Sequence, residues 1–270
     1  MSDRDEILFE TVSKISVSAD TVAEYTKQRK GDMGRKKMLV AALREEVVEA
    51  NLDLVRRGLV VSTFGNVSGV DRKQGLIAIK PSGVAYDALR PVDLVVSDLD
   101  GTVVEGKLRP SSDLPTHLVL YRAFPEIGGI AHTHSEYATA WAQAGKPIPC
   151  FGTTHADYFH GPIPITESMA DEEIDGEYER NTGEVMIRGL HAIGANAMAV
   201  PAMLVVNHGP FAWGADARKA SENAWMLEVA ARMAYLTLNI NPRADVVGKT
   251  LHDRHFLRKH GESAYYGQKK

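Results

Sequence analysis

Only one cysteine, Cys150, occurs in 270 residues. An intrachain disulfide is therefore impossible, and a reducing, cytoplasmic setting is the natural expectation. No run of about 18 uninterrupted apolar residues occurs, which removes an ordinary membrane-spanning helix. The opening stretch, MSDRDEILFETVSKISVSAD, lacks the basic start and apolar centre of a secretory signal. Charge of neither sign dominates: 31 Lys and Arg face 35 Asp and Glu, for a net charge of −4. Without a basic surplus, neither nucleic acid nor an acidic membrane surface is an expected partner. Internal repeats and low-complexity tracts are also absent. What remains is ordinary globular composition, 44% hydrophobic and 24% charged, in a chain long enough for one or two domains.

Residues 1–35 are polar and end in QRKGDMGRKK, with one modest helical candidate at Thr21–Gln28. They are expected to form a flexible N-terminal extension, with Met33 or Met38 as an alternative start. Residues 36–270 are expected to form one domain. In KKMLVAALREEVVEANLDLVRRG, the apolar positions Leu39, Leu43, Val47, Ala50 and Leu54 have helical spacing, and Gly58 ends the run. LVVSTFG reads as a short strand. SGVDRKQGLIAIKPSG and LVVSDLDGTVVEG each carry a central turn signal and read as antiparallel hairpins. SSDLPTHLVLYRAF reads as a helix capped by Ser111 or Ser112 with Pro115 in its first turn. A strand GGIAHTH, a helix to Gly145, and a strand AMLVVNHGPFAWG ending at His208 follow. A long amphipathic helix, a shorter helical segment LHDRHFLRKHG and an exposed tail SAYYGQKK complete the chain. Strands clustered early and flanked by helices give an α/β domain around a largely antiparallel sheet.

LVVSDLDGTVVEG matches in form the D-x-D-G-T signature of haloacid-dehalogenase-type phosphatases, with Asp98 as nucleophile and Asp100 as acid. The residues after Gly101, TVVEGK, are strand-like, so Asp100-Gly101 is the tip of a hairpin instead. No later apolar strand ends in paired aspartates.

Chemistry concentrates elsewhere. His132 and His134 lie two apart at a strand end and project to one side, an arrangement suited to a metal ion. His208, followed by Gly209, supplies a third imidazole. Three neutral imidazoles leave a coordination position open, as in a catalytic zinc site. Asp113, near a helix start, is a fourth ligand or a partner orienting a histidine. His117, His191, His252 and His260 fall on helical segments, where packing or surface roles suit them better. Around this centre, Asn66 of FGNVSG, Lys80, Ser82 and Gly83 of KPSGV, and Ser111 and Ser112 of PSSD resemble an anion cradle. A phosphorylated substrate is the expectation.

TFGNVSGVD, IKPSGV, PSSDLPTH, GGIAHTHS, GTTHADYFHG, NHGPFAWG and LRKHGESAYYGQ together resemble the class II aldolase/epimerase superfamily, over residues 38–268. Within it, the resemblance is to the L-ribulose-5-phosphate 4-epimerases. It implies an α/β/α layered single-domain fold, a divalent metal (usually zinc) on His132, His134 and His208, and a phosphate pocket of Asn66, Lys80, Ser82, Gly83, Ser111 and Ser112. Asp113 matches an aspartate of the epimerases where the aldolases carry glutamate. Asp157 and Tyr266 match the family's acid/base pair, and Thr153 and Glu179 secondary site positions. The tyrosine implies a cyclic homotetramer with active sites at subunit interfaces. The implied reaction interconverts L-ribulose 5-phosphate and D-xylulose 5-phosphate by breaking and remaking C3–C4. The alternatives are an aldolase or epimerase of a related sugar phosphate, and a non-catalytic binding protein of the same fold.

Overall fold

The computed structural model describes residues 38–261 and 264–266. The Thr21–Gln28 helix and a start at Met33 lie outside them. The chain falls into two units, Met1–Met38 and Leu39–Lys270, and the second carries every element described below.

It opens with helix α1 (Ala41–Arg56), which buries Val47, Val48, Ala50 and Leu54. Seven strands follow: β1 (Asn66–Asp71), β2 (Leu76–Ile79), β3 (Val95–Asp98), β4 (Val103–Glu105), β5 (Gly129–His132), β6 (Ala202–Val205) and β7 (Gly209–Gly214). They form one sheet in the order β4-β3-β2-β1-β5-β7-β6. Every neighbouring pair is antiparallel. The β1–β2 and β3–β4 hairpins match the turn signals, and Asp100-Gly101 sits at the tip of the second. The nucleophile geometry of a phosphatase is thereby ruled out.

Seven further helices are described: α2 (Leu114–Ala123), α3 (Glu136–Gln143), α4 (Thr153–Ala156), α5 (Asp171–Asp175), α6 (Tyr178–Ala192), α7 (Ala217–Ile240) and α8 (Lys249–His260). Side chains of a strand alternate between faces, and the sheet divides accordingly. Gly69 of β1 faces Leu43 and Val47 of α1 and Ala217 of α7. Ser68, its neighbour, faces His117 and Tyr121 of α2. Helices α1 and α7 thus cover one face, and α2 and α6 the other, giving three layers. Ile79, Ile130, Phe211 and Trp213 of the sheet pack on the α2/α6 side with Leu118, Tyr121, Met186 and Leu190.

Three local expectations are corrected. LVVSTFG is not a strand: Val61 and Phe64 are exposed, and Ser62 and Gly65 have positive φ, so the segment turns rather than extends. AMLVVNHGPFAWG is not one strand but the β6–β7 hairpin, with Asn207 at φ 58° in its turn and His208 beside it. The cap of α2 is Asp113, not Ser111 or Ser112, and its carboxylate makes no capping bond because it turns into the site. The lone Cys150 is buried, its sulfur 3.6 Å from the Gly152 carbonyl, and burial pushes its thiol up to about 11.

Candidate metal and phosphate site

The register of three central strands builds the floor of a cleft. Asn66 of β1 lies opposite His132 of β5, which lies opposite Phe211 of β7. His132 is sandwiched there, stacked on Phe211 at 4.1 Å between ring centroids. Its Nδ1 lies 3.0 Å from the Pro210 carbonyl, which can only accept, so Nδ1 carries the proton. The Nε2 lone pair is left free and points at His134 Nε2, 3.2 Å away. His208 completes the group, and one ligand atom of each of the three rings lies within 4.8 Å of the others. The Tyr178 hydroxyl stands 3.2 Å from His208 Nδ1, leaving Nε2 as the nitrogen available to the cluster.

This donor set fits a metal. Nitrogens bound tetrahedrally to one zinc are about 3.3 Å apart, given a Zn–N bond of about 2.0–2.1 Å. Protons are unwelcome here. Burial, then the neighbouring His132 and His134, holds His208 down at about 4. Burial and His132 also lower His134. Gly209, next to His208, leaves no room for a side chain: a Cβ there would meet the Thr133 carbonyl at 2.9 Å.

The anion-binding candidates line the same cleft of about 400 Å³: Asn66, Lys80, Ser82, Gly83, Ser111 and Ser112. Two loops bring them together. Ser82 N–H donates to the Arg109 carbonyl at 3.0 Å, and Ser111 N–H to the Lys80 carbonyl at 3.1 Å. Lys80 is 1% exposed. Among the described residues its ammonium reaches only the Thr63 and Pro81 carbonyls, each at 3.4 Å, and the face of Tyr86. Burial brings it down to about 8. A buried cation without a counter-charge is costly, so a site of this kind favours an incoming anion. Asp113 and Glu179 also line the cleft. Asp113 Oδ2 accepts from Asn66 Nδ2 at 2.6 Å and from Ser111 Oγ at 3.4 Å. Burial pushes this carboxyl up, but His132, His117 and the Asn66 amide outweigh it and hold it below the usual range.

Residues 45–235 match the family described as Class II Aldolase and Adducin N-terminal domain. The chain belongs to the class II aldolase family. Its relatives include the L-ribulose-5-phosphate 4-epimerases UlaF of Salmonella paratyphi B and Salmonella typhi, each 54% identical over 227 residues, 84% of this chain and 99% of theirs. Among solved structures, an L-fuculose 1-phosphate aldolase superposes with a TM-score of 0.68 at 27% identity, over 81% of this chain and 96% of its own. An L-fuculose 1-phosphate aldolase from Glaciozyma antarctica PI12 shares the fold at 20% identity and a TM-score of 0.66, over 94% and 90% of the two chains.

Asp157 and Tyr266, expected from the resemblance to form an acid/base pair, do not line the histidine cleft. They form a separate cluster with α8. Arg258 grips the Asp157 carboxylate with Nε at 3.0 Å and Nη2 at 2.7 Å, and its guanidinium lies over the Tyr266 ring. His255 Nδ1 adds a contact at 3.1 Å. Burial raises Asp157, but the Arg258 and His255 bonds and the Lys259 charge prevail and lower it. Thr153 begins α4, at the root of the same segment, and is half-buried.

A second group of metal-type side chains, His160, His252 and Asp253, lies nearby. His252 Nε2 lies 3.0 Å from the Gly161 N–H and 3.3 Å from the Phe159 carbonyl, and its Nδ1 faces Asp253 at 3.5 Å, so both ring nitrogens are engaged by the protein itself. Tyr178 and Phe64 of the cleft wall were not singled out by sequence, since neither a tyrosine opening a helix nor a phenylalanine in a loop has a distinguishing pattern.

Proposed function

We propose that this protein is a metal-dependent epimerase interconverting L-ribulose 5-phosphate and D-xylulose 5-phosphate. One observation carries the reading: three convergent imidazoles and an uncompensated buried lysine share a single small cleft. The names of the Salmonella relatives support the choice of substrate. The proton on C4 of such a sugar is too weakly acidic for direct abstraction, so inversion proceeds by cleaving C3–C4 and remaking it on the other face. A divalent metal, zinc in this reading, fits His132, His134 and His208 and supplies Lewis-acid stabilisation of the negative charge that cleavage leaves on the vicinal oxygens.

Asn66, Lys80, Ser82, Gly83, Ser111 and Ser112 hold the phosphate of the two-carbon aldehyde fragment, which turns over without escaping. Asp113 orients the metal site, and Glu179 and Thr153 border it or its partner segment. Asp157 and Tyr266 serve the C4 oxygen from opposite sides. Asp157, kept ionised by Arg258, suits proton acceptance, and the Tyr266 hydroxyl suits donation. Since both stand apart from their own chain's cleft, this reading places them in a neighbour's, within a cyclic homotetramer. A coupled assay of L-ribulose 5-phosphate conversion tests it. Turnover abolished by a chelator and restored by zinc is expected. Absence of turnover in zinc-loaded protein would transfer the cleft to another sugar phosphate.

A further inference from the structure

The imidazoles of the cleft are not all held alike. His132 ends β5, and its ring is fixed twice, stacked on Phe211 and with Nδ1 3.0 Å from the Pro210 carbonyl. His208 has no such frame. It stands in the turn between β6 and β7, after Asn207 at φ 58°, and its N–H donates to the Val205 carbonyl at 3.0 Å. Those constraints place the backbone but leave the ring a choice of rotamers. Among the described residues, the ring's one hydrogen-bond partner is the Tyr178 hydroxyl, 3.2 Å from Nδ1. The two rings also lie face to face, 27° from parallel, with centroids 6.1 Å apart.

Tyr178 is itself well anchored. It opens α6, and that end of the helix is bonded to its surroundings. The Thr182 hydroxyl donates to the Tyr178 carbonyl at 2.8 Å, and the Thr116 hydroxyl of α2 donates to the Glu179 carbonyl. Asn181 Nδ2 donates to the Glu173 carbonyl of α5 at 2.8 Å. The phenol therefore meets His208 from a helix end tied to α2 and α5, independently of the β6–β7 turn.

A neutral imidazole has one N–H and one lone pair, while a phenol oxygen can donate or accept. If Tyr178 donated to Nδ1, the ring proton would sit on Nε2 and bar that nitrogen from a metal. If Nδ1–H donates to the phenol oxygen, Nε2 keeps its lone pair for the cluster with His132 and His134. Metal binding and this second arrangement therefore favour one another.

We propose that Tyr178 is a positioning residue for His208, its oxygen accepting the Nδ1–H and so holding Nε2 toward the metal. The inference rests on the reading of His132, His134 and His208 as a metal site. It gives a task to a cleft residue that the reaction above leaves unused.

Tyr178→Phe keeps a ring against the imidazole and removes the acceptor. Zinc affinity, measured by competition with a chromophoric chelator, is expected to fall roughly 10- to 100-fold, with the unfolding temperature of the zinc-free protein almost unmoved. Turnover should fall with it at limiting zinc and recover in excess zinc, because the three ligands remain. Unchanged zinc affinity would overturn the proposal. So would normal affinity with a loss of turnover that excess zinc does not restore, which would put Tyr178 on the sugar phosphate instead. Should the variant not fold, ¹⁵N-histidine spectra of the unaltered, zinc-loaded protein decide. A His208 Nδ1–H protected from exchange and close to the Tyr178 ring protons supports the proposal, and one that exchanges freely refutes it. Failure of the wider metal reading looks different: the unaltered protein would then show no specific zinc binding.

Discussion

Lys80 shows how one residue can announce a ligand. Its stem is buried, its ammonium meets two carbonyls and a ring, and burial sets its pKa near 8 rather than in the usual lysine range. The free protein therefore holds the charge below about pH 8 and loses it as pH rises through that value. If the charge recruits a phosphate, kcat/KM falls above about pH 8 while the acid side is unaffected by this group. In Lys80→Arg, whose guanidinium stays protonated throughout, the fall near pH 8 disappears from whatever activity remains. A profile of the unaltered enzyme that is level to pH 9 removes Lys80 from phosphate binding. At this scale the sequence is informative where chemistry is unusual. His132 and His134 are picked out by the two-residue spacing of a strand, although β5 ends at His132 and His134 stands just beyond it, and Lys80 needs only a flanking Ser-Gly. Tyr178 is silent because its meaning arises from tertiary contact with His208. Asp157 and Tyr266 come from family resemblance alone, since nothing in HADYF or AYYGQ distinguishes them chemically from loop and tail residues.

Elements were legible where a local signal and the tertiary environment agree. The hairpins around Lys73–Gly75 and Asp100-Gly101 carry their own turn residues, and both formed. LVVSTFG has strand propensity but no neighbouring strand to pair with, and two of its apolar side chains stay in solvent. Propensity loses in that case because packing decides. The β5 strand illustrates the opposite dependence. Its leading glycines are unremarkable by pattern, yet a Cβ on Gly128 would lie 1.9 Å from the Ala215 carbonyl oxygen, and one on Gly129 2.4 Å from the Asp216 carbonyl oxygen. The turn between β7 and α7 presses directly on the backbone that delivers His132. Gly129→Ala is therefore expected to destabilise by about 3 kcal/mol, since overpacking against backbone has no flexible partner to yield. Thermal unfolding should read this as a loss of roughly 6–12 °C. Gly248→Ala, with open space around the added carbon, should leave the transition almost unmoved.

The whole molecule divides its chemistry between two places, a histidine cleft and an α8 cluster around Asp157. If neighbouring copies join the two, inactive chains damaged in different halves should complement. His132→Ala and Asp157→Asn proteins, each nearly inactive alone, are expected to regain activity when unfolded together and reassembled in equal amounts. About a quarter of the interfaces would then pair two intact halves. No regain, with mixed assembly verified by mass, would place the acid/base pair in the cleft's own chain or remove it from the reaction.

The scarcity of cysteine gives this arrangement a natural reporter. Cys150 lies at the root of the segment that carries Thr153 and Asp157, and the Val247 N–H donates to its carbonyl at 2.8 Å, tying it to the approach to α8. As the chain's only thiol, buried and largely protonated at neutral pH, it reacts with a disulfide reagent chiefly when this segment opens. The rate of a single colour change thus measures the breathing of the Asp157 segment in the unmodified protein, without any engineered label.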